Sequence, residues 1–405
     1  MTPTTPNPAA APDRVVLYER DFSDDPHAAY ARMRDTHGPL VPVELSPGIP
    51  ATLVIGYRQA LTILHDPQRF PADPRTWQQQ VPMDCPVRPM MEWRPNALRS
   101  GPAEHPRYRA ANTAAIDATD QHALHRLVEE ICAEALAELQ PAGYVDLLIQ
   151  YAHRIASQSL NGLLGCPDDI GMRIGAGMAD IFNASDPASA ARGNAVLAQA
   201  VAKLVALRRQ HPGDDITTRL LAHPAHLDDT EMAHQLVTLY GAGIEPLANL
   251  IANTILTILT DPGFAAALHA GRTSVRAALD GVLFRDPPMA TYCISYPPYP
   301  ADVDGVLLPA HQPVLISMTG CNNDPELTAG LPADAVTGNR AHLSWSAGPH
   351  TCPARVPAYL VAETAITYLL DAQPEIDLAV PASELRWRPG PFHRALESLP
   401  VTLAA

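Results

Sequence analysis

The sequence predicts a mainly α-helical fold with small β-sheets, built as one large domain around a long central helix. Residues 105–285 are dominated by apolar residues spaced three and four positions apart, the period of an α-helix with one buried face. Within them, a helix predicted at 231–259 is apolar on nearly every face around residues 236–259, as expected of a helix that crosses a core. No internal repeat and no linker-like segment divides the 405 residues.

Each element is predicted from its local pattern. Residues 1–14 are a Pro/Thr/Ala tail that we expect to be disordered, and residues 15–405 form the domain. The predicted elements are a helix at 28–34, strands at 41–45 and 52–56, a helix at 58–65, a long irregular segment at 70–100, helices at 122–139, 151–164, 191–209, 231–259 and 273–284, a β-hairpin at 306–317 and a helix at 353–370.

The central helix has a predicted start, stop and interruption. Asp229 or Thr230 can cap its first turn, and the Thr-Asp-Pro-Gly run at 260–263 ends it. Pro246 lies in the middle, where a proline removes a backbone hydrogen bond and costs about 3 kcal/mol in an ordinary helix interior. We therefore predict a kink at Pro246, and a kink inside a buried helix often marks a functional site.

Composition and charge exclude several classes of protein. Lys+Arg 28 against Asp+Glu 43 gives a net charge of −15, which argues against a nucleic-acid binder. The first residues have neither a basic start nor an apolar run, so we expect no secretory signal, no membrane anchor and a cytoplasmic location. The six cysteines are scattered without a Cys-x-x-Cys pair, which excludes the usual structural zinc spacing.

One cysteine has a distinctive setting. The segment Trp345-Ser-Ala-Gly-Pro-His-Thr-Cys352-Pro-Ala-Arg is a turn-rich loop that leads into the predicted helix at 353–370. Pro353 suits the first helical position, which places Cys352 at the helix cap. Free N–H groups and the helix dipole favour an anion there, and such conditions depress the pKa of a thiol. A buried structural cysteine beside a turn is the commoner situation and stays open at this point.

The cysteine loop resembles the haem-thiolate signature of the cytochrome P450 family, aromatic-Gly-x-Gly-x-His-x-Cys-x-Gly. The matching residues are Trp345, Gly348, His350 and Cys352, and the departures are Ser346 for the first glycine and Ala354 for the last. The resemblance implies a cytochrome P450 fold and a haem b cofactor. It also implies that Cys352 is the axial thiolate on the haem iron and that His350 contacts a haem propionate.

Two more segments resemble the family in the expected order. His105 and Arg109, four residues apart, share one helical face and resemble a His-x-x-x-Arg pair that holds a propionate. Ala242-Gly243-Ile-Glu245-Pro246 resembles the Ala-Gly-x-Glu-Thr segment of the oxygen-binding helix. The resemblance implies that Gly243 opens room for O2 and that Glu245 serves proton delivery.

The sequence also departs from the family. The Glu-x-x-Arg pair falls on Gly281 and Phe284, and residues 325–339 contain no arginine to complete the buried ion network. Because all members are missing together, we expect apolar packing in their place. A propionate-binding arginine is missing too, since Ile294 or Ser295 stands at its position. His105, Arg109 and His350 would then hold the propionates alone.

Two prolines fall where the cofactor chemistry is tuned. Pro246 replaces the family's threonine and offers no hydroxyl for proton delivery. Pro353 offers no N–H to the neighbouring thiolate, and a thiolate with fewer hydrogen bonds donates more strongly. The resemblance therefore predicts a lower iron reduction potential than is usual in the family.

The resemblance implies a monooxygenase that inserts oxygen from O2 into a small-molecule or peptide substrate, with electrons from a ferredoxin and its reductase, in secondary metabolism. Met289, Ala290 and Tyr292 stand where the family lines its pocket, although core packing explains Tyr292 equally well. Two rivals stay open because of the changes at Pro246 and in the ion network. One is an oxidative-coupling or peroxide-using haem-thiolate enzyme, and the other is a non-catalytic haem protein that senses a ligand or partner.

Overall fold

The computed structural model describes residues 14–182, 187–328 and 339–404, so the predicted tail at 1–14 lies outside the described residues except for Arg14. The described chain is mainly helical. Its α-helices are α1 (Arg20–Asp24), α2 (Pro26–His37), α3 (Tyr57–Leu64), α4 (Arg88–Met91), α5 (His105–Asp117), α6 (Gln121–Leu139), α7 (Arg154–Leu164), α8 (Asp168–Phe182), α9 (Pro187–Gln210), α10 (Ile216–Ala222), α11 (Asp229–Thr260), α12 (Pro262–His269), α13 (Val275–Arg285), α14 (Met318–Asn322), α15 (Pro325–Thr328) and α16 (Arg355–Ala372).

The strands are short and form three small sheets. They are β1 (Val15–Val16), β2 (Leu40–Glu44), β3 (Pro50–Val54), β4 (Tyr144–Asp146), β5 (Thr291–Ser295), β6 (Ala301–Val303), β7 (Val306–Leu308), β8 (Val314–Ser317), β9 (Asp377–Leu378) and β10 (Pro400–Thr402). The largest sheet has the order β1-β2-β3-β8-β5, and the others are β4-β10-β9 and β6-β7. Turns of 3-10 helix lie at Trp77–Gln79, Gln140–Ala142, Gly348–His350 and Ala382–Glu384, and a π-helical stretch at Leu148–His153 precedes α7.

The hairpin predicted at 306–317 is wrong. Strand β7 pairs antiparallel with β6, whereas β8 leaves for the large sheet, where it lies between β3 and β5. All four residues of β8 are buried. A continuous apolar strand buried on both faces needs two strand neighbours, so its sequence suits the centre of a sheet better than a hairpin edge.

The central helix α11 is longer than predicted and has a different cap. Asp228, rather than Asp229 or Thr230, accepts the Glu231 N–H, and the Glu231 side chain accepts the Asp228 N–H, which makes a capping box. The helix runs through Pro246 to Thr260. It is long and apolar enough to span a membrane, but half of its most apolar window is buried inside the protein, as in the core helix of a globular fold.

The largest core cluster surrounds the second half of α11. Ile251 and Ile255 of this helix pack with side chains of α6, α7, α13 and α16, and both are 0% exposed. A second cluster lies against the first half of α11 and includes residues of α5, α8 and α9. The middle of α11 therefore crosses between two cores, beside the segment that leads into α16.

The expected apolar replacement of the ion network is wrong, because the structure places a different network there. Asp280, one residue before Gly281, is 1% exposed. Tyr359 donates to Asp280 Oδ1 at 2.6 Å, and Arg340 Nε donates to Oδ2 at 3.2 Å. The Arg276 guanidinium lies over the Tyr359 ring, 3.4 Å from its centre. Relative to the family's pattern, the buried carboxylate lies one residue earlier, at Asp280 instead of position 281. Its partner Arg340 comes directly after the segment 325–339, in which the family's arginine is expected.

Because Asp280 is buried and paired, we expect Asp280→Ala to lower the free energy of unfolding by about 3–5 kcal/mol, the usual cost of breaking a buried ion network. The matched control is Asp169→Ala, which breaks the exposed pair with Lys203 at 2.9 Å. We expect a cost below about 1 kcal/mol for it, as for other exposed ion pairs. Urea titration followed by circular dichroism measures both, and equal small effects would contradict a buried network centred on Asp280.

Candidate functional site

The loop before α16 is held tightly by its backbone. The Cys352 N–H donates to the Trp345 carbonyl at 2.8 Å, which closes the loop into a turn. Gly348 has φ +67°, and a Cβ there would lie 2.1 Å from the Leu64 carbonyl oxygen at the end of α3. Ser346 adopts φ +60°. It thus keeps the left-handed backbone for which the family uses glycine, while Gly348 cannot be replaced without moving the backbone.

The surroundings of Cys352 differ from the expectation of a helix cap. Helix α16 begins at Arg355 with Ala354 as its cap, so Pro353 is not its first residue. Burial raises the pKa of the Cys352 thiol, while the Ala354 N–H, Arg109 and Arg355 act in the opposite direction. Pro353 has no N–H to donate to the Cys352 sulfur, and the Ala354 N–H takes this role. The thiol therefore has one hydrogen-bond donor and two nearby cations.

Helix α5 lies beside this loop and brings the predicted basic residues together. The His105 and His350 rings are tilted against each other with centres 4.0 Å apart. Arg109 donates to the Thr351 carbonyl, next to Cys352. Burial, with a smaller contribution from Arg109, lowers the pKa of His105 to about 4. Burial, with smaller contributions from His105 and Arg109, lowers the pKa of His350 to about 3. The four residues from two distant segments therefore form one cluster.

This cluster fits an anionic cofactor that binds a thiol. His105 is 5% exposed and its Nε2 has no hydrogen-bond partner among the described residues. Arg109 is half-buried and forms no ion pair with a described carboxylate. Buried donors without acceptors are costly unless a ligand supplies the acceptor. Haem has two carboxylates for such donors and an iron for the sulfur of Cys352, so the residues present fit the group.

The middle of α11 is accessible, although the helix is buried on either side. Residues 241–247 are all exposed or half-buried, and Ala242 is the exposed one. Ala242 and Pro246 are four positions apart and share a face. Because Pro246 has no N–H, the Ala242 carbonyl lacks its helical partner. The proline thus leaves an acceptor free on the accessible face.

Gly243 has a different neighbour from the one expected. A Cβ on this residue would lie 2.9 Å from Leu160 Cδ2 of α7. The missing side chain therefore lets two helices approach closely, and a role of Gly243 in opening room for O2 stays a prediction.

Glu245 is held by three side chains from other positions in the chain. Arg388 donates to its Oε1, His153 Nε2 lies 3.0 Å from its Oε2, and Asn249 Nδ2 donates to Oε1 at 3.2 Å. These contacts outweigh the effect of burial and hold the pKa of Glu245 well below its usual range. The side chain stays a carboxylate at neutral pH, so it accepts hydrogen bonds but holds no proton to donate.

The predicted pocket residues lie on and before β5. Ala290 is buried, Met289 is half-buried, and the Tyr292 ring packs edge-on against Phe392 at 6.3 Å. The Tyr292 hydroxyl accepts a hydrogen bond from Arg99 at 2.7 Å. Tyr292 is thus both a packing residue and the partner of a buried cation.

Sequence reasoning missed Arg99, Arg388, His153 and Asp280. The partner that each of them contacts is far away in sequence, and none belongs to a motif with a fixed spacing. A single arginine or histidine in a helix or loop is usually solvated, so only the three-dimensional contacts distinguish these residues.

Comparison with known proteins identifies the family. No protein-family model matches the chain. Cytochrome P450 monooxygenase PikC of Streptomyces venezuelae is 29% identical over 393 residues, covering 94% of this chain and 92% of that protein. The 6-deoxyerythronolide B hydroxylase of Saccharopolyspora erythraea is 28% identical, covering 96% and 98%. The solved structure of CYP154C4 from Streptomyces sp. W2061 superposes with a TM-score of 0.87 at 27% identity, covering 97% of this chain and 98% of that one.

The similarity extends over the whole fold in both sequence and structure, and the relatives are named as P450 monooxygenases and hydroxylases. The chain belongs to the cytochrome P450 family and is an enzyme of the monooxygenase type.

Proposed function

We propose that residues 15–405 form a cytoplasmic haem-thiolate monooxygenase that inserts oxygen from O2 into an organic substrate. The observation that supports it most is the cluster of Cys352, His105, Arg109 and His350. In it a thiol lies beside the buried His105 Nε2, which has no partner among the described residues, and beside the half-buried Arg109. The named relatives include hydroxylases, which fits insertion of oxygen into a C–H bond. Relatives such as PikC and the 6-deoxyerythronolide B hydroxylase fit a role in secondary metabolism.

In this proposal each predicted residue has a physical task. Haem b, when bound, supplies the iron at which O2 is activated. Cys352 gives its sulfur to that iron, and Trp345, Gly348 and Ala354 fix the loop that presents the sulfur. His105, Arg109 and His350 donate to the haem carboxylates.

On the opposite side, the accessible face of α11 at Ala242 and Pro246 borders the reaction space. Met289, Ala290 and Tyr292 are proposed to contact the substrate or the residues that hold it. Electrons are proposed to come singly from a ferredoxin and its reductase. Gly243 positions α11 against α7, and Glu245 positions water or the segment around Arg388 rather than donating a proton itself.

One observation favours peroxide-driven or coupling chemistry as the second candidate. Delivery of protons to bound oxygen needs a donor near the iron, and here Pro246 has no hydroxyl while the Glu245 carboxylate is engaged by Arg388 and His153. A reaction that starts from peroxide already contains the protons that O2 would need. The free Ala242 carbonyl can still order a water, which is the route by which O2 chemistry would survive.

We expect the purified, reduced protein to give the red-shifted CO band of a thiolate-ligated haem, and Cys352→Ser to lose that band while still folding. The reason is that only the thiolate sulfur shifts the band in this way. Absorption spectra of the ferrous CO complexes measure it, with Cys321→Ser, a cysteine that is 0% exposed, as the control for cysteine loss. A wild-type spectrum without the band would contradict the proposed function.

Pro246→Thr restores both an amide N–H and a hydroxyl at the centre of α11. We expect the hydrogen peroxide released per NADPH consumed to fall by about tenfold, since a positioned proton donor contributes that much or more. Pro246→Ala restores only the N–H and separates the two effects. Assays with a surrogate ferredoxin pair measure both variants, and unchanged peroxide release in Pro246→Thr would remove the role given to this proline.

The engaged state of Glu245 predicts a pH-dependent contribution to stability. Its folded pKa lies below the unfolded value of 4.5, so its stabilisation is complete above that pH and is lost as pH falls toward the folded pKa. We expect Glu245→Gln to cost about 1 kcal/mol at pH 7, since the pair is partly solvent-screened. The difference in free energy of unfolding between wild type and Glu245→Gln should close as the pH falls below 4.5.

Urea titrations at pH 7 and pH 3.5 measure this gap. The control is Glu397→Gln, which breaks the more exposed pair with Arg20 at 2.9 Å and should cost less at pH 7. A gap that stays constant with pH would show that Glu245 does not stabilise the fold as a carboxylate.

A further inference from the structure

Two arginines in the described part of the chain are buried, and only one of them has a carboxylate partner. Arg394 is 9% exposed, and its Nε lies 3.6 Å from Asp286 Oδ1. Arg99, 2% exposed, forms no ion pair with any described acidic residue. A buried guanidinium stays charged, and burying a charge without an opposite charge is costly. Arg99 is therefore placed for an anion that the protein itself does not provide.

The hydrogen bonds of Arg99 use only one side of its guanidinium. Nε and Nη2 donate to the Met90 carbonyl at 3.3 and 2.7 Å, and Nη2 also donates to the Tyr292 hydroxyl at 2.7 Å. These acceptors are neutral, and Nη1 has no partner among the described residues. Since the Tyr292 oxygen accepts from Arg99, its own O–H is left to donate. Arg99 and Tyr292 together offer donors from two chain segments to one acceptor group.

The loop that holds Arg99 is fixed before any ligand binds. Asn96 accepts the Arg99 N–H at 2.9 Å through its side chain and accepts the Ser100 hydroxyl at 2.7 Å through its carbonyl. The Asn96 amide in turn donates to Thr238 of α11 at 2.7 Å. A guanidinium held in this way loses little freedom on binding, which suits a preformed site.

This loop also adjoins the cofactor cluster. The Gly101 carbonyl, two residues after Arg99, accepts the His105 N–H at 2.9 Å, so the loop leads directly into the first turn of α5. The His105 ring in that turn lies against the His350 ring, with centres 4.0 Å apart. On its other side Arg99 reaches β5, which contains no arginine of its own. The cation thus lies between β5 and the cluster that we assign to the haem carboxylates.

We propose that Arg99, oriented by Met90 and Tyr292, binds a haem propionate and replaces the cation that β5 lacks. The inference rests on the proposed function, because it needs haem in the cluster of Cys352 and His105. It adds Arg99 to His105, Arg109 and His350, the residues expected to hold the propionates. A carboxylate-bearing substrate has the same chemistry, and the direct continuation of the Arg99 loop into the turn that carries His105 favours the propionate.

The test removes the charge on the protein and, separately, the charge on the cofactor. Wild type, Arg99→Met and Tyr292→Phe are reconstituted with iron protoporphyrin IX and with its dimethyl ester, which has no carboxylates. Transfer of the porphyrin to excess apomyoglobin gives the rate of haem loss. With ordinary haem we expect loss to be about 10- to 100-fold faster in Arg99→Met, as for a lost charge-assisted hydrogen bond. The increase should be smaller in Tyr292→Phe.

The dimethyl ester distinguishes the origin of that effect. With the ester, wild type and Arg99→Met should lose the porphyrin at the same rate, because no propionate charge remains to be bound. An equal acceleration with both porphyrins would overturn the proposal, since Arg99 would then only support the fold. Arg394→Met serves as the control for loss of a buried arginine and should not distinguish the two porphyrins.

A substrate site gives a third pattern. If Arg99 binds a substrate carboxylate, haem loss is unchanged in Arg99→Met, and the spectral shift caused by decanoate is lost while that caused by decanol remains. That result would overturn the propionate assignment. The CO spectrum of wild type is measured in parallel, because absence of its thiolate band would mark failure of the proposed function itself rather than of the role of Arg99.

Discussion

Positive charge without a counter-charge among the described residues lies where the loop at 96–105 meets the loop at 345–352. Arg99 and Arg109 carry this charge, and beside them the ring of His105 has its Nε2 buried without a described partner. The low dielectric of the interior makes such an arrangement unstable alone and strongly attractive for an anion. Helix α5, strand β5 and the cysteine loop all contribute residues to this region. The sulfur of Cys352 lies in the same region.

Much of the architecture was predictable because it depends on local pattern. The period of apolar residues predicts α6 and α11 to within two residues at each end and α9 to within four, and the loop spacing identifies Cys352 with its histidine. The failures involve partners distant in sequence. Strand β8 was assigned to a hairpin because nothing local indicates that its neighbours are β3 and β5. The π-helical turn before α7 follows from packing against α11 and has no sequence signal of its own.

The departures from the family are compensated nearby rather than simply lost. Asp280 replaces a carboxylate missing at Gly281, and Arg340 supplies the arginine absent from 325–339. In the same way Arg99 brings to β5 a cation that the strand does not encode. In each case the electrostatic requirement is met from a neighbouring backbone position or another segment, because what matters physically is where the charge lies and not which residue bears it. No such replacement is found among the described residues for the hydroxyl that Pro246 lacks. The oxygen chemistry at α11 is therefore where the enzyme departs most from its family.

A crystal structure of the haem-containing protein tests the account most directly. It should show the Cys352 sulfur on the iron and the two propionates within hydrogen-bond distance of the cluster, one of them on Arg99 Nη1 and the Tyr292 hydroxyl and the other near His105 Nε2. An iron ligated by another side chain, or propionates turned away from Arg99 and His105, would contradict the claim that buried, unpaired positive charge determines where the cofactor binds.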